Sequence, residues 1–223
     1  MGCLTSNLKR YTEMNTYHKI QTVFLRDPAT KYKTLLMGKF SRPEFDYLKD
    51  NKWCFTEKVD GTNIRVMYKN DKLFFAGKTD RAQLYPKLLK KLKELFLPNL
   101  NTFQDIFKGK DVCLYGEGYG EKIQSGGKYC KGQNFVLFDV KVDDVYYLQR
   151  HDVEDIANKL GIDIVPIIGY GTLSNMVQMV EEGFESLWGN FIAEGIVAKP
   201  TADLYTRERK RIITKLKYKD FAR

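Results

Sequence analysis

Residues 55–66 read FTEKVDGTNIRV, from Phe55 to Val66. Trp53 to Val59 alternates as a strand does, and a second strand begins at Ile64. Lys58 sits inside the first of these. An ammonium in a buried strand must find an anionic partner or give up its proton. Desolvation and neighbouring cations lower a lysine pKa, and a neutral amine is a nucleophile. A strand end beside Gly61 presents that amine at a cleft, and a glycine lets a phosphate approach the backbone. The pattern K-x-D-G alone also fits a hairpin with a surface lysine, so the rest of the chain has to decide.

The chain has 223 residues with 37 Lys and Arg against 28 Asp and Glu, a formal net charge of +9. That excess points to a polyanionic partner, nucleic acid first. The length suits one domain, residues 1–223, and 43% hydrophobic residues can fill a core. Cys3, Cys54, Cys113 and Cys130 are far apart, without a C-x-x-C pair, and the chain has only two histidines. This excludes the usual structural zinc patterns and argues against a disulfide framework. Three of the four lie in or beside apolar runs, as reduced core cysteines do. No segment has the apolar length of a membrane-spanning helix, and the start MGCLTSNLKR lacks a signal-peptide core, so the expected location is cytoplasmic. Its loose match to M-G-x-x-x-[ST] through Ser6 reads as chance agreement.

Strand patterns dominate. KND before KLFFAG reads as a hairpin turn, and FVLFDVKV followed by Asp143-Asp144 and VYYL reads as a second hairpin. Val112 to Tyr115 is a short apolar run ended by GEGYG. NFIAEGIVAKP and RIITKLKYK supply two more strands. Helices fall between them. AQLYPKLLKKLKELFL spaces Leu84, Leu88, Leu92 and Leu95 along one face, and HDVEDIANKLG has Asp152 as N-cap and Gly161 as stop. SNMVQMVEEGFESLW starts at Ser174 and buries Met176, Val177, Val180 and Phe184. Strands interrupted by isolated helices predict an α+β fold with mainly antiparallel sheets.

Further charged residues lie in apolar strands. Glu117 closes CLYGEGYG, Glu194 lies in FIAEGIVAKP, and Lys215, Lys217 and Lys219 alternate in ITKLKYK. A period of two puts those three lysines on one face, as a triphosphate site needs, although an edge strand blunted by lysines reads the same.

In order along the chain, KVDGTN, LYGEGYG, FVLFDV, AEGIVAKP and KLK resemble motifs I, III, IIIa, IV and V of the covalent nucleotidyltransferases, the superfamily of ATP-dependent DNA ligases, RNA ligases and capping enzymes. They span Lys58 to Lys217. DNA ligases and capping enzymes carry arginine five residues after the nucleophile. Asn63 in that place resembles the nick-sealing RNA ligases of phages and viruses, as does the upstream segment from Tyr17 to Trp53. Arg65, on the same strand face as Asn63, blurs that distinction.

The resemblance implies one nucleotidyltransferase domain, a monomeric enzyme that uses ATP and magnesium or manganese and acts on RNA ends or on nicks in a duplex; with six residues after Lys217, no OB-fold is expected. Lys58 would form lysyl-AMP, which then adenylylates a 5′-phosphate for attack by a 3′-hydroxyl. Lys215 and Lys217 would hold the α-phosphate, and Glu194 the metal ion. Glu117 would accept a ribose hydroxyl hydrogen bond and Phe138 would stack on adenine, which Glu57 would help read. Asn63 would contact the ribose or the metal's water shell. Lys78 stands where relatives often have arginine, and either Lys78 or Arg81 takes the phosphate contact. Alternatives left by the sequence are a DNA ligase or DNA/RNA strand joiner, an adenylyltransferase that does not seal, and a basic nucleic-acid-binding protein with an inactive fold.

Overall fold

The computed structural model describes residues 16–221, so the Met-Gly-Cys start, Cys3 and Ser6 lie outside the described residues. The described residues divide into two compact units, 16–18 with 60–164 and 19–59 with 165–221. The chain leaves the second unit for the first between Val59 and Asp60, inside KVDGTN.

The first unit is built on a six-stranded sheet. Its strands are β5 (Thr62–Lys69), β6 (Lys72–Ala76), β7 (Val112–Gly120), β8 (Gln133–Val142), β9 (Tyr146–Tyr147) and β10 (Asp163–Ile164), ordered β10-β8-β7-β5-β6 with β9 also on β8. All pairs are antiparallel except β10 with β8. The KND turn joins β5 to β6 with Asn70 and Asp71 at φ 48° and 56°, and Asp143 and Asp144 adopt φ 50° and 53° before β9. Two consecutive left-handed residues give the twist a tight hairpin requires. β7 does not end before GEGYG but runs through it. Pairing with β5 on one side and β8 on the other outweighs glycine's poor strand preference.

Three helices cover this sheet: α2 (Pro86–Phe96), α3 (Leu100–Phe107) and α4 (Arg150–Leu160). α2 starts at Pro86 rather than Ala82, because proline suits a first helical turn where no N–H bond is lost. Its buried stripe is Leu88, Leu92 and Phe96, while Leu84 and Leu95 only flank the core. Full burial of each such side chain is worth about 1.5–3 kcal/mol. α4 has Gln149, not Asp152, at its N-cap, with Asp152 in the first turn where it favours the helix dipole. Gly161 ends it at φ 63° as the sequence predicts.

The second unit holds a five-stranded sheet ordered β1-β13-β12-β4-β11. Its strands are β1 (Gln21–Thr22), β4 (Trp53–Glu57), β11 (Ile167–Gly171), β12 (Gly195–Pro200) and β13 (Thr214–Lys217). β1 runs parallel to β13 and the other pairs are antiparallel. A separate antiparallel pair joins β2 (Phe24–Arg26) to β3 (Leu35–Phe40), followed by the short helix α1 (Pro43–Tyr47). α5 (Leu173–Glu182) begins one residue before Ser174, because Thr172 and Asn175 form a reciprocal capping box. It buries Leu173, Met176 and Val180, with Val177 and Phe184 at the margin of a core that includes Trp53, Phe55, Ile196 and Leu216. The α+β class with mainly antiparallel sheets and flanking helices is therefore the observed one. Among the described residues, no helix is long and apolar enough to cross a membrane.

Candidate active site

Three strand ends of the second unit bring three charges together. Lys58 follows the last residue of β4, and its N–H still donates to Gly195 O at 2.9 Å. Glu194 immediately precedes β12, and Lys217 ends β13 opposite Gly195. Lys58 Nζ donates to Glu194 Oε2 at 2.7 Å, and Lys217 Nζ lies 2.6 Å from Glu194 Oε1. The carboxylate is 9% exposed and the lysines 19% and 21%. This answers how Lys58 can be charged in a mostly buried position: Glu194 is its partner. One carboxylate against two ammoniums leaves a net positive charge, and that suits a polyanion.

Lys215 and Lys217 are the half-buried residues of β13 and share one face. Lys199 lies two residues beyond Val197, the residue opposite Lys215, and so belongs to that face. Lys219 does not. The strand stops at Lys217, and a turn over Tyr218–Asp220 follows, pinned where Lys217 N–H donates to Asp220 Oδ2 at 3.1 Å. The predicted row of three strand lysines is thus a row of two, because a side-chain carboxylate replaces the next ladder partner.

Glu57 points away from Lys58. It lies opposite Ile196, a core residue, and is 1% exposed. Ser186 Oγ donates to its Oε1 at 2.6 Å and Leu187 N–H to its Oε2 at 2.9 Å, while Trp188 N–H donates to Ser186 Oγ at 3.1 Å. Burial pushes the Glu57 carboxyl above its ordinary value, against the two hydrogen bonds that favour the charged form. In this arrangement the carboxylate anchors the segment leading into Glu194, and it can meet a base only if that segment gives it up. Strand periodicity signals the opposed directions of Glu57 and Lys58, but nothing in the sequence marks Ser186.

The remaining sequence-derived residues belong to the first unit. Asp60 Oδ2 accepts from Ser125 N–H at 3.2 Å, and Asp60 N–H donates to Tyr129 Oη at 3.1 Å, so this residue ties down the segment after β7. Gly61 is required by packing as well as by any phosphate, since a Cβ there would stand 2.2 Å from Gly118 O. Asn63 lies directly opposite Glu117 across β5 and β7, so both point to one face. Asn63 Oδ1 is buried without a hydrogen bond from the protein.

Phe138 occupies a β-bulge. Tyr115 pairs with Asp139 and the next residue, Gly116, pairs with Leu137, which leaves Phe138 without an opposite number. Bulges redirect a side chain at functional sites. Phe138 is half-buried, and Tyr17 packs on it edge-on at 5.0 Å. The same tyrosine is 8% exposed and donates through Oη to Asp139 Oδ2 at 2.5 Å. Tyr17 was marked in the sequence only by lying in the upstream segment. Lys78 and Arg81 are exposed in the turn after β6, and Arg65 is fully buried beneath it.

Cys113 is fully buried, and Cys54 and Cys130 are partly so. Among the described residues, no three His, Cys, Asp or Glu side chains cluster as a metal cage. Glu194 still fits a divalent ion that arrives with phosphates, because magnesium commonly uses one or two carboxylates together with substrate oxygens. Its Oε1 is buried and makes no aligned hydrogen bond, despite the nearby Lys217 charge.

The solved structures similar to this chain include forms of Naegleria gruberi RNA ligase. A variant with ATP and Mn shares 23% identity, covering 80% of this chain and 54% of that one, at a TM-score of 0.63. Another variant with ATP and Mn shares 20% identity over 92% and 56% of the two chains, at 0.67. The same ligase with PPi shares 21% over 92% and 56%, at 0.66. These likenesses establish a common fold, and this chain spans about half the length of the structures it matches. The family model described as RNA ligase matches residues 51–218, which include Lys58, Glu117, Phe138, Glu194 and Lys217, and the chain belongs to the RNA ligase family.

Proposed function

We propose that this protein is an ATP-dependent RNA ligase that joins a 3′-hydroxyl to a 5′-phosphate through lysyl-AMP at Lys58. The observation that carries the reading is the shared carboxylate: Lys58 and Lys217 meet on Glu194 at 2.7 and 2.6 Å, inside the family match.

Attack requires Lys58 Nζ as a free amine, and Glu194 Oε2, in hydrogen-bond contact with Nζ, is the route by which that proton passes to solvent. Nζ then bonds to the α-phosphorus of ATP as the bond to the bridging β-oxygen breaks, and pyrophosphate leaves with that electron pair. Lys217 and Lys215 meet the charge that develops. Glu194 would hold a magnesium or manganese ion, which would supply further positive charge there. The adenylyl group next passes from Lys58 to an RNA 5′-phosphate. The 3′-hydroxyl finally attacks that phosphate, and AMP departs. Phe138, turned out by its bulge, stacks on adenine. Glu117 accepts from a ribose hydroxyl, and Asn63, whose Oδ1 lacks a protein partner, accepts from the ribose or a metal-bound water. Glu57 contributes to adenine recognition through the segment it anchors. The net charge of +9 supports RNA, as ends or nicks, as the substrate.

The test is self-labelling. Purified protein with magnesium should take up label from α-labelled but not γ-labelled ATP, and Lys58→Ala should abolish it. Label that survives in the variant removes Lys58 as nucleophile, and a wild-type chain that takes none removes the ligase reading.

A further inference from the structure

Arg65 lies in β5 on the face that carries Asn63, opposite Tyr115 on one side and Ala76, the last residue of β6, on the other. Its side chain is 0% exposed. Nε donates to Gly77 O at 2.9 Å and Nη2 to Asp80 Oδ1 at 2.6 Å. Lys78 and Thr79 are the two residues between these anchors. The turn is closed on itself as well: Ala82 N–H donates to Thr79 O at 3.1 Å, and a Cβ on Gly77 would come within 2.9 Å of the Ala82 Cβ. Burying a guanidinium to pack β5 against β6 makes poor sense, because an apolar residue of similar size fills such a place at less cost. What an apolar residue cannot do is hold a carbonyl and a carboxylate at once with a rigid fork.

We propose that Arg65 is a positioning residue for nucleotide binding: it fixes residues 77–80 from below so that Lys78, rather than Arg81, meets the phosphates. Arg81 follows the second anchor and lies outside the clamped pair. A lysine is a flexible point charge without the planar fork of arginine, so its phosphate contact depends more on where the backbone puts it. Arg65 is therefore spent inside the protein and does not replace the arginine that other nucleotidyltransferases carry at the position of Asn63. The inference rests on the ATP-dependent reading above, and it is tested by binding rather than by turnover.

The experiment is equilibrium dialysis of the α,β-methylene analogue of ATP, which cannot pass its adenylyl group to Lys58, with magnesium against Lys78→Ala, Arg65→Lys, Asp80→Ala and the pairs Arg65→Lys/Lys78→Ala and Asp80→Ala/Lys78→Ala. Loss of one bond to a charged group should weaken binding about ten-fold in each single variant. If Arg65 acts through Lys78, each pair binds no more weakly than Lys78→Ala alone. Losses that multiply in the pairs overturn the proposal, because a general structural defect adds to the missing lysine. So does a loss carried by Arg81→Ala and not by Lys78→Ala. Asp80 is a 59% exposed side chain, so its variant keeps the test decisive should Arg65→Lys fail to fold. Failure of the ligase reading appears separately, as a wild-type chain that binds the analogue but takes no label from ATP.

Discussion

Replacing Glu57 by alanine removes a carboxylate that is 1% exposed and accepts from Ser186 Oγ and Leu187 N–H. Each donor left buried without a partner costs about 1–3 kcal/mol, and relief from burying the carboxylate offsets part of that. A net loss of about 2–4 kcal/mol is expected on this balance. Glutamine behaves differently. Its Oε1 can accept from Leu187 N–H while its NH2 group donates to Ser186 Oγ, so both contacts survive and only the Ser186 hydroxyl hydrogen loses its acceptor. The pH dependence follows from burial, which raises the Glu57 carboxyl above 4.5. The folded protein then holds a proton over a window in which the unfolded chain has lost it, so this residue's contribution falls as pH rises through that window from about 4.5. Glu57→Gln carries no such titration and should gain on the wild type as pH climbs. Urea unfolding followed by tryptophan fluorescence is the suitable assay, because both tryptophans, Trp53 and Trp188, belong to the unit that holds Glu57. An alanine variant within about 0.5 kcal/mol of wild type, the range of an ordinary surface change, refutes the anchoring role. A difference between wild type and Glu57→Gln that ignores pH refutes the burial argument.

Glu194→Gln keeps the shape but removes the charge that Lys58 and Lys217 share, and self-adenylylation should fall by about 10²-fold or more; aspartate, one methylene shorter, should rescue little, and unaltered rates would dismiss the cluster. Phe138→Ala should leave folding intact and weaken binding of the α,β-methylene analogue of ATP by about ten-fold or more, the usual worth of a base–aromatic stack; unchanged affinity in dialysis would return Phe138 to a packing role. Burial pushes the Cys113 thiol up to about 12, so iodoacetamide at pH 8 should modify it only on unfolding, and mass spectrometry showing prompt modification of the native protein would contradict its burial.

Much of the fold can be read from local signals. The tight turns at Asn70-Asp71 and Asp143-Asp144 are visible because small polar residues between apolar runs accept the left-handed backbone a hairpin needs. α4 stops at Gly161 for the same backbone reason. Other elements carry little local signal. β1 has two residues and exists by pairing with Thr214 and Lys215, and β10 likewise leans on β8. α3 has no side-chain N-cap, and LNTFQDIF becomes a helix with Phe103 and Phe107 buried. Tertiary packing also moved boundaries, carrying β7 through its glycines and ending β13 before Lys219.

For the site, the sequence by itself determined which residues carry charge in apolar strands, their order along the chain, and the faces that Glu57 and Lys58 take, because side-chain direction in a strand follows a local period of two. Only the tertiary structure decided what those side chains meet. Lys58 finds its carboxylate 136 residues away, and Glu57 finds Ser186 129 residues away, through strands that are neighbours in space alone. The bulge that leaves Phe138 without an opposite residue exists only in the register of β8 on β7. Arg65 looks like a competitor of Asn63 until the turn after β6 folds back over it and takes up its guanidinium. A residue's chemistry is written in the chain, but its partner depends on which distant segments the hydrophobic cores bring within hydrogen-bond reach.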